Sequence, residues 1–219
     1  MLTMAREIRA VLDELKILVD AMNAADPEAW IRGKKMVLHL GAAEQAIKKF
    51  FASDVGLGFP PSYAEFLAAS DGVEWMWRGL HFMPADPRRQ KFVNDRRTIM
   101  LDRFAARFCT FQGDPTEENI AQWRSDGSVY LPMTTVVAAS PVGDLLLYDH
   151  YSVDAAGEMQ IGLQGRTDLD VKQWHPNITA WLQACLSELR AQPRHEVEQS
   201  TQRVARSTAR KAKKPIRRS

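Results

Sequence analysis

The stretch from Gly56 to Gly72, GLGFPPSYAEFLAASDG, constrains the fold more than any other, because it encodes one short helix together with its entry and exit. Pro60 and Pro61 fix the entering backbone. Ser62, with Glu65 three residues on, has the spacing of a capping box, and Gly72 is placed to take the left-handed turn that ends the helix. Phe59, Tyr63, Phe66 and Leu67 share one face, so the spacing predicts a helix buried along a stripe. Other elements must cover that stripe.

The flanking sequence supplies candidates. Residues 4 to 22 repeat Ile8, Val11, Leu12, Leu15, Leu18, Val19 and Met22 at helical spacing, with charges between them, until Asn23 to Pro27 break the pattern. A second helix is expected over Ala42 to Phe51, with Ala43, Ala46, Ile47 and Phe50 on one side and Lys48 and Lys49 on the other. After Gly72, rough alternation of Trp75, Trp77, Leu80, Phe82 and Met83 favours a strand or two broken near Gly79. Phe92, Ile99, Met100, Phe104 and Phe108 allow a helix through about Arg107. Gln112 to Asp126 reads as a loop that holds a short helix around Asn119 to Trp123.

From Val129 the segments Val129 to Leu131, Thr134 to Ala139, Asp144 to Tyr148 and Met159 to Leu163 are short, apolar and separated by turn residues, the pattern of an antiparallel meander. Ser140-Pro141-Val142-Gly143 is the expected hairpin loop. Pro176 is suited to the first turn of a closing helix whose apolar face holds Ile178, Trp181, Leu182, Cys185, Leu186 and Leu189. The predicted class is α+β, a mostly antiparallel sheet packed against helices.

With 45% hydrophobic residues, six Trp and nine Phe, a chain of 219 residues has the material for a substantial core. Cys109 and Cys185 form no CxxC pair and suit a reducing compartment, where both read as small core residues. Charges at Arg6, Glu7, Arg9, Asp13, Glu14, Lys16 and Asp20 interrupt any apolar run near the start, so neither a signal peptide nor a membrane span is expected, and the expected location is the cytoplasm. The net charge of +2 conceals an asymmetry. Residues 194 to 219 carry nine Lys or Arg against two Glu, a net of +7, and the other 193 carry 20 against 25, a net of −5. A basic segment without aromatic residues cannot bury enough surface to offset its ordering entropy, so disorder is expected there. Three parts follow: a helical extension over 1 to 42, a domain over 43 to 193 and a basic tail over 194 to 219.

The ordered series LGF-PPSY-x-EFL-x-x-S-D-G, a tryptophan-bearing strand segment, Val142-Gly143-Asp144-Leu145-Leu146 and Asn177-Ile178-Thr179-Ala180-Trp181-Leu182 resembles the SUKH superfamily over roughly residues 43 to 190. The chain departs from the family pattern in its leading helix and in Val73, where members often have another small residue. The resemblance implies an α+β domain generally without an active site of its own. Bacterial members are typically immunity proteins that bind and neutralise a cognate toxin, often one acting on nucleic acid.

The residues themselves show no catalytic grouping. His39, His81, His150, His175 and His195 include no pair three to five apart, so helical zinc clamps are absent, and no GxSxG, Walker or GxGxxG run occurs. His39, among Val37, Leu38 and Leu40, reads as a hydrogen-bonded core or boundary histidine. Asp149 and His150 are adjacent, which on a strand sends them to opposite faces. Asp168-Leu169-Asp170 lacks the remaining ligands of a calcium loop and reads as a turn. No metal, cofactor or catalytic residue is expected, and the chain is not expected to be an enzyme.

The candidate partner-binding residues are Asp71, Glu74, Trp75, Trp77, Asp144 and Asp149. Trp75 and Trp77, two apart, point the same way on a strand and either pack the core or anchor a partner. The acidic residues, with Asp154 and Glu158, either form an ordinary solvated surface or converge as a negative patch that steers a basic, nuclease-like toxin. Arg203, Arg206, Arg210, Lys211, Lys213, Lys214, Arg217 and Arg218 suit nonspecific contact with nucleic-acid phosphates, the alternative reading being a nucleic-acid-associated accessory protein.

Overall fold

The computed structural model describes residues 2–25, 34–108, 116–118, 134–165 and 171–191. Among them are five helices of eight residues or more, α1 (Leu2–Ala25), α2 (Glu44–Phe51), α3 (Ser62–Ala69), α4 (Lys91–Phe108) and α5 (Ile178–Ala191). The strands are β1 (Val37–Leu38), β2 (Val73–Glu74), β3 (His81–Phe82), β4 (Thr134–Ala139), β5 (Leu145–Asp149), β6 (Gln160–Gln164) and β7 (Val171–His175). β1 and β2 pair with each other, and β3 to β7 form one antiparallel sheet in chain order, so the α+β class and the meander are present as expected.

Every residue of β4 and β5 is buried, so both faces of the sheet are covered at its centre. α4 packs on β4, while α5 packs on β6 and β7 and also meets α1 and α3. This explains the unbroken apolar run Leu145-Leu146-Leu147, since a strand covered on both sides has no polar face to alternate with. A ring cluster joins α3 to the sheet. Phe59 and Tyr63 lie 4.5 Å apart between centroids, Tyr63 stacks on Phe66 at 5.1 Å, and Tyr148 of β5 stands edge-on to both Phe59 and Tyr63. The Tyr63 hydroxyl donates to the Met83 carbonyl at 2.6 Å, which satisfies a polar group that burial would otherwise penalise.

The helix over Ser62–Ala69 has the expected buried face, but its start differs from the expected capping box. The helix begins a residue early, with Pro61 in the cap position, so Ser62 stands inside the first turn and makes no side-chain cap. Its backbone N–H is taken instead by Glu158 Oε1 at 2.8 Å, from the loop between β5 and β6. Gly72 does adopt a left-handed φ of 83°, two residues beyond the cap Ser70, and a Cβ there would press on Pro84. α5 starts at Ile178, with the Asn177 side chain accepting the Ala180 N–H at 2.9 Å; Pro176 precedes the helix and does not sit in its first turn.

Residues 1 to 42, set apart from the sequence as an extension, are not structurally separate where described. Ile8, Leu12, Leu15 and Val19 belong to the same buried cluster as Tyr63, Phe66 and Leu182. Polar side chains of α1 also hold the following segment: Arg9 donates to the carbonyls of His39 and Ala69, Asn23 to that of Lys34, and Asp20 accepts the Met36 N–H at 2.7 Å. β7 had no counterpart among the expected strands. Cys109, the strand from Val129, the helix around Asn119, the Asp168 turn and the basic segment 194 to 219 lie outside the described residues.

Candidate functional site

The alternation from Val73 to Met83 yields two short strands, β2 and β3, broken by a turn that ends at Gly79 as expected, but Trp75 and Trp77 fall outside both. β2 lasts two residues, Trp75 turns into the left-handed region at φ 56°, and Trp77–Gly79 form a single 3-10 turn closed by the Met76–Leu80 bridge. Arg78 is also left-handed, at φ 61°. Trp75 and Trp77 therefore do not share a strand face. Trp75 lies edge-on to His81 at 4.7 Å with the Lys34 ammonium 5.0 Å above its ring, whereas Trp77 packs partly buried against the core under the Arg78 guanidinium. Non-glycine residues at positive φ each cost on the order of 1–3 kcal/mol and persist only where surrounding structure holds them.

Beside this loop lies a cleft of about 270 Å³ whose walls include His39, Glu74, His81, Arg89 and Phe92. Four separate segments build it. β1 leads into His39, β2 carries Glu74, β3 carries His81, and the turn before α4 carries Arg89. The β1–β2 register places Val37 opposite Glu74, and His39 Nε2 meets Glu74 Oε1 at 3.0 Å. The His81 ring is held between Trp75 and Phe92, 4.5 Å from the latter, and its buried Nε2 has no hydrogen-bond partner among the described residues. Burial pushes the His81 pKa below the ordinary histidine value, against an opposing pull from the Glu74 charge, so the ring is neutral at pH 7.

The four acidic candidates, Asp71, Glu74, Asp144 and Asp149, do not form one solvated patch. Asp71 is a structural anchor: only 14% of its side chain is exposed, Oδ1 accepts the Ala85 N–H at 2.6 Å, and Oδ2 pairs with Arg89. Arg89 also donates to the Asp71 carbonyl at 2.6 Å, so this charge is spent on fixing the cleft wall. Asp149 is 6% exposed and its Oδ1 accepts the Tyr151 N–H, which removes it from the solvated set. Asp144 and Asp149 flank opposite ends of β5, roughly 17 Å apart at about 3.3 Å per residue. Glu74, 40% exposed and hydrogen-bonded to His39, is the candidate acid that lines the cleft. The reading of His39 as a hydrogen-bonded boundary residue agrees with this geometry. His81, Arg89 and Phe92 were not singled out, and no sequence spacing links them to Glu74.

A second, smaller cavity of about 160 Å³ lies at the other end of β4, lined by Gly58, Arg97, Thr135 and His150 among others. His150 sits just past β5, with Nε2 2.7 Å from Thr135 Oγ1. Such a hydroxyl–imidazole contact is the first element of a nucleophile–base pair. The Gly58 backbone passes close to this hydroxyl, and a Cβ at that position would fall 2.2 Å from Oγ1. Burial lowers the His150 pKa, with Asp149 and the Gly58 carbonyl opposing and Arg97 adding to the effect.

Cys185 is buried, and burial pushes its thiol pKa far above the ordinary range, so it is an inert core residue. Among the described residues no three His, Cys, Asp or Glu side chains converge as a metal site, and no helix is long and apolar enough to cross a membrane. No protein-family model matches the chain, and no curated protein matches it.

Proposed function

We propose that the chain is a SUKH-type protein-binding domain, an immunity protein that acts in the cytoplasm and neutralises a cognate bacterial toxin by stoichiometric binding and occlusion. The observation that carries this reading is the loop from Glu74 to Gly79, where two non-glycine residues are held at positive φ and two tryptophans remain only partly buried. A loop with a purely structural role has glycine or asparagine available at such positions. Partly exposed tryptophans on a rigid, preformed support are the residue type that dominates protein interfaces. The arrangement of α3, the β3–β7 meander and the closing α5 follows the same order as the motifs that resemble the SUKH superfamily.

The reading is tested by coexpression with the toxin encoded beside the gene. Rescue of growth and a one-to-one complex are expected, and Trp75→Ala should weaken that complex by roughly thirtyfold, the effect of a hot-spot residue worth about 2 kcal/mol. A toxin that remains active and forms no complex refutes the proposal.

A second reading rests on the +7 segment from 194 to 219, which suits nonspecific nucleic-acid contact. Binding to duplex DNA should then fall steeply with salt and vanish when that segment is deleted; no binding at low salt refutes it.

A further inference from the structure

We propose that the cleft between His39, Glu74, His81 and Phe92 is a receptor for one guanidinium-bearing side chain, an arginine presented by the partner protein. This inference rests on the protein-binding reading and names the chemistry that the partner must bring. At about 270 Å³ the cleft is smaller than typical drug-sized ligand sites, which begin at roughly 300 Å³, and it matches a single large side chain.

Its electrostatics select a cation. Arg89, the permanent cation in its wall, is engaged by Asp71 and lies 3.8 Å from Asp86, so its charge is already matched. Glu74 presents a half-exposed carboxylate whose Oε1 meets His39 Nε2 at 3.0 Å. The Phe92 wall favours the same sign, since the Arg96 guanidinium lies over its ring at 5.5 Å.

His81 supplies the remaining feature. Its buried Nε2 lacks a hydrogen-bond partner among the described residues. A planar guanidinium carries five N–H donors, enough to bond the Glu74 carboxylate and approach His81 while stacking on an aromatic wall. Lysine offers a single compact charge and cannot stack in this way. An anion would meet the Glu74 carboxylate and gain no uncommitted cation in the cleft wall.

The test uses the full-length protein, labelled with ¹⁵N, titrated with N-acetyl-arginine-methylamide and followed at the Trp75 indole and the His81 ring. Saturable shifts at both are expected, with binding weakened about tenfold in Glu74→Gln, a near-isosteric change at a half-exposed site. The norleucine analogue and inorganic phosphate should leave these signals in place. Absence of a saturable shift, an equal response to norleucine, displacement by phosphate, or unchanged affinity in Glu74→Gln would each overturn the proposal. The titration needs no toxin, so a positive result without any toxin complex keeps the arginine site and rejects neutralisation. A toxin complex indifferent to Glu74→Gln rejects the arginine site and keeps the binding reading.

Discussion

Removal of residues 1 to 42 should abolish cooperative folding of the remaining domain, because α1 forms part of its core. Ile8, Leu12 and Leu15 are fully buried and Val19 nearly so. At about 1.5–3 kcal/mol for each buried aliphatic side chain, this face contributes on the order of 6–12 kcal/mol. Total stabilities of about 5–15 kcal/mol leave little margin for such a loss. Deletion would also uncover the surfaces of α3 and α5 that α1 packs against, strip β1 from β2, and remove the Arg9 donor to the Ala69 carbonyl.

The assay is thermal and urea denaturation of a 43–193 fragment beside the full chain, followed by near-ultraviolet circular dichroism of the tryptophans. The fragment should show no sigmoidal transition. Leu12→Ala in the full chain provides the graded version, costing about 3 kcal/mol and lowering Tm by roughly 6–12 °C. A fragment that melts cooperatively within about 5 °C of the full chain would refute the reasoning, since a lost face of that size corresponds to a far larger shift.

Tyr63→Phe removes the donor to the Met83 carbonyl and leaves that acceptor buried; a loss of about 1–2 kcal/mol is expected in urea unfolding. Gly58→Ala forces a Cβ toward Thr135 Oγ1 and should cost about 1–3 kcal/mol, much of it relieved in a double variant with Thr135→Ala, as a double-mutant cycle would measure. The pKa values of His81 and His150 are lowered in the folded protein, mainly by burial, so the unfolded chain takes up protons more readily. Their contribution is intact above about pH 6.5 and is lost as the pH falls below it toward the lowered folded values. Stability measured by denaturant titration should therefore decline on acidification through that window, with a shallower slope in a His81→Asn, His150→Asn double variant; an unchanged slope would contradict the assignment.

Elements with a strong period are legible in the residue pattern alone. α1, α2, α3 and α5 repeat their apolar residues at helical spacing, and β4 to β6 are short apolar runs between turn residues, so local pattern and burial agree in all of them. β7 escaped because Lys172, Gln173 and His175 give an edge strand the composition of a loop, and its identity comes from pairing with β6. The capping-box spacing was misleading for a related reason: Glu158, distant in the chain, reaches the N–H of Ser62 once the β5–β6 loop folds back.

What covers the apolar face of α1 emerges from long-range packing against α3 and α5, since periodicity reveals that a face must be buried and not against which partner. Tertiary contacts also turned Trp75 out of the extended conformation and committed Asp71 to Arg89. The cleft belongs to the same class of fact. His39, Glu74, His81 and Arg89 occupy four segments whose separations follow no period, and they become neighbours because β1 pairs with β2 and the chain then folds through β3 into the turn before α4. Local spacing encodes elements through nearest-neighbour sterics and burial, whereas a site assembled across segments exists only after the pairing that brings them together.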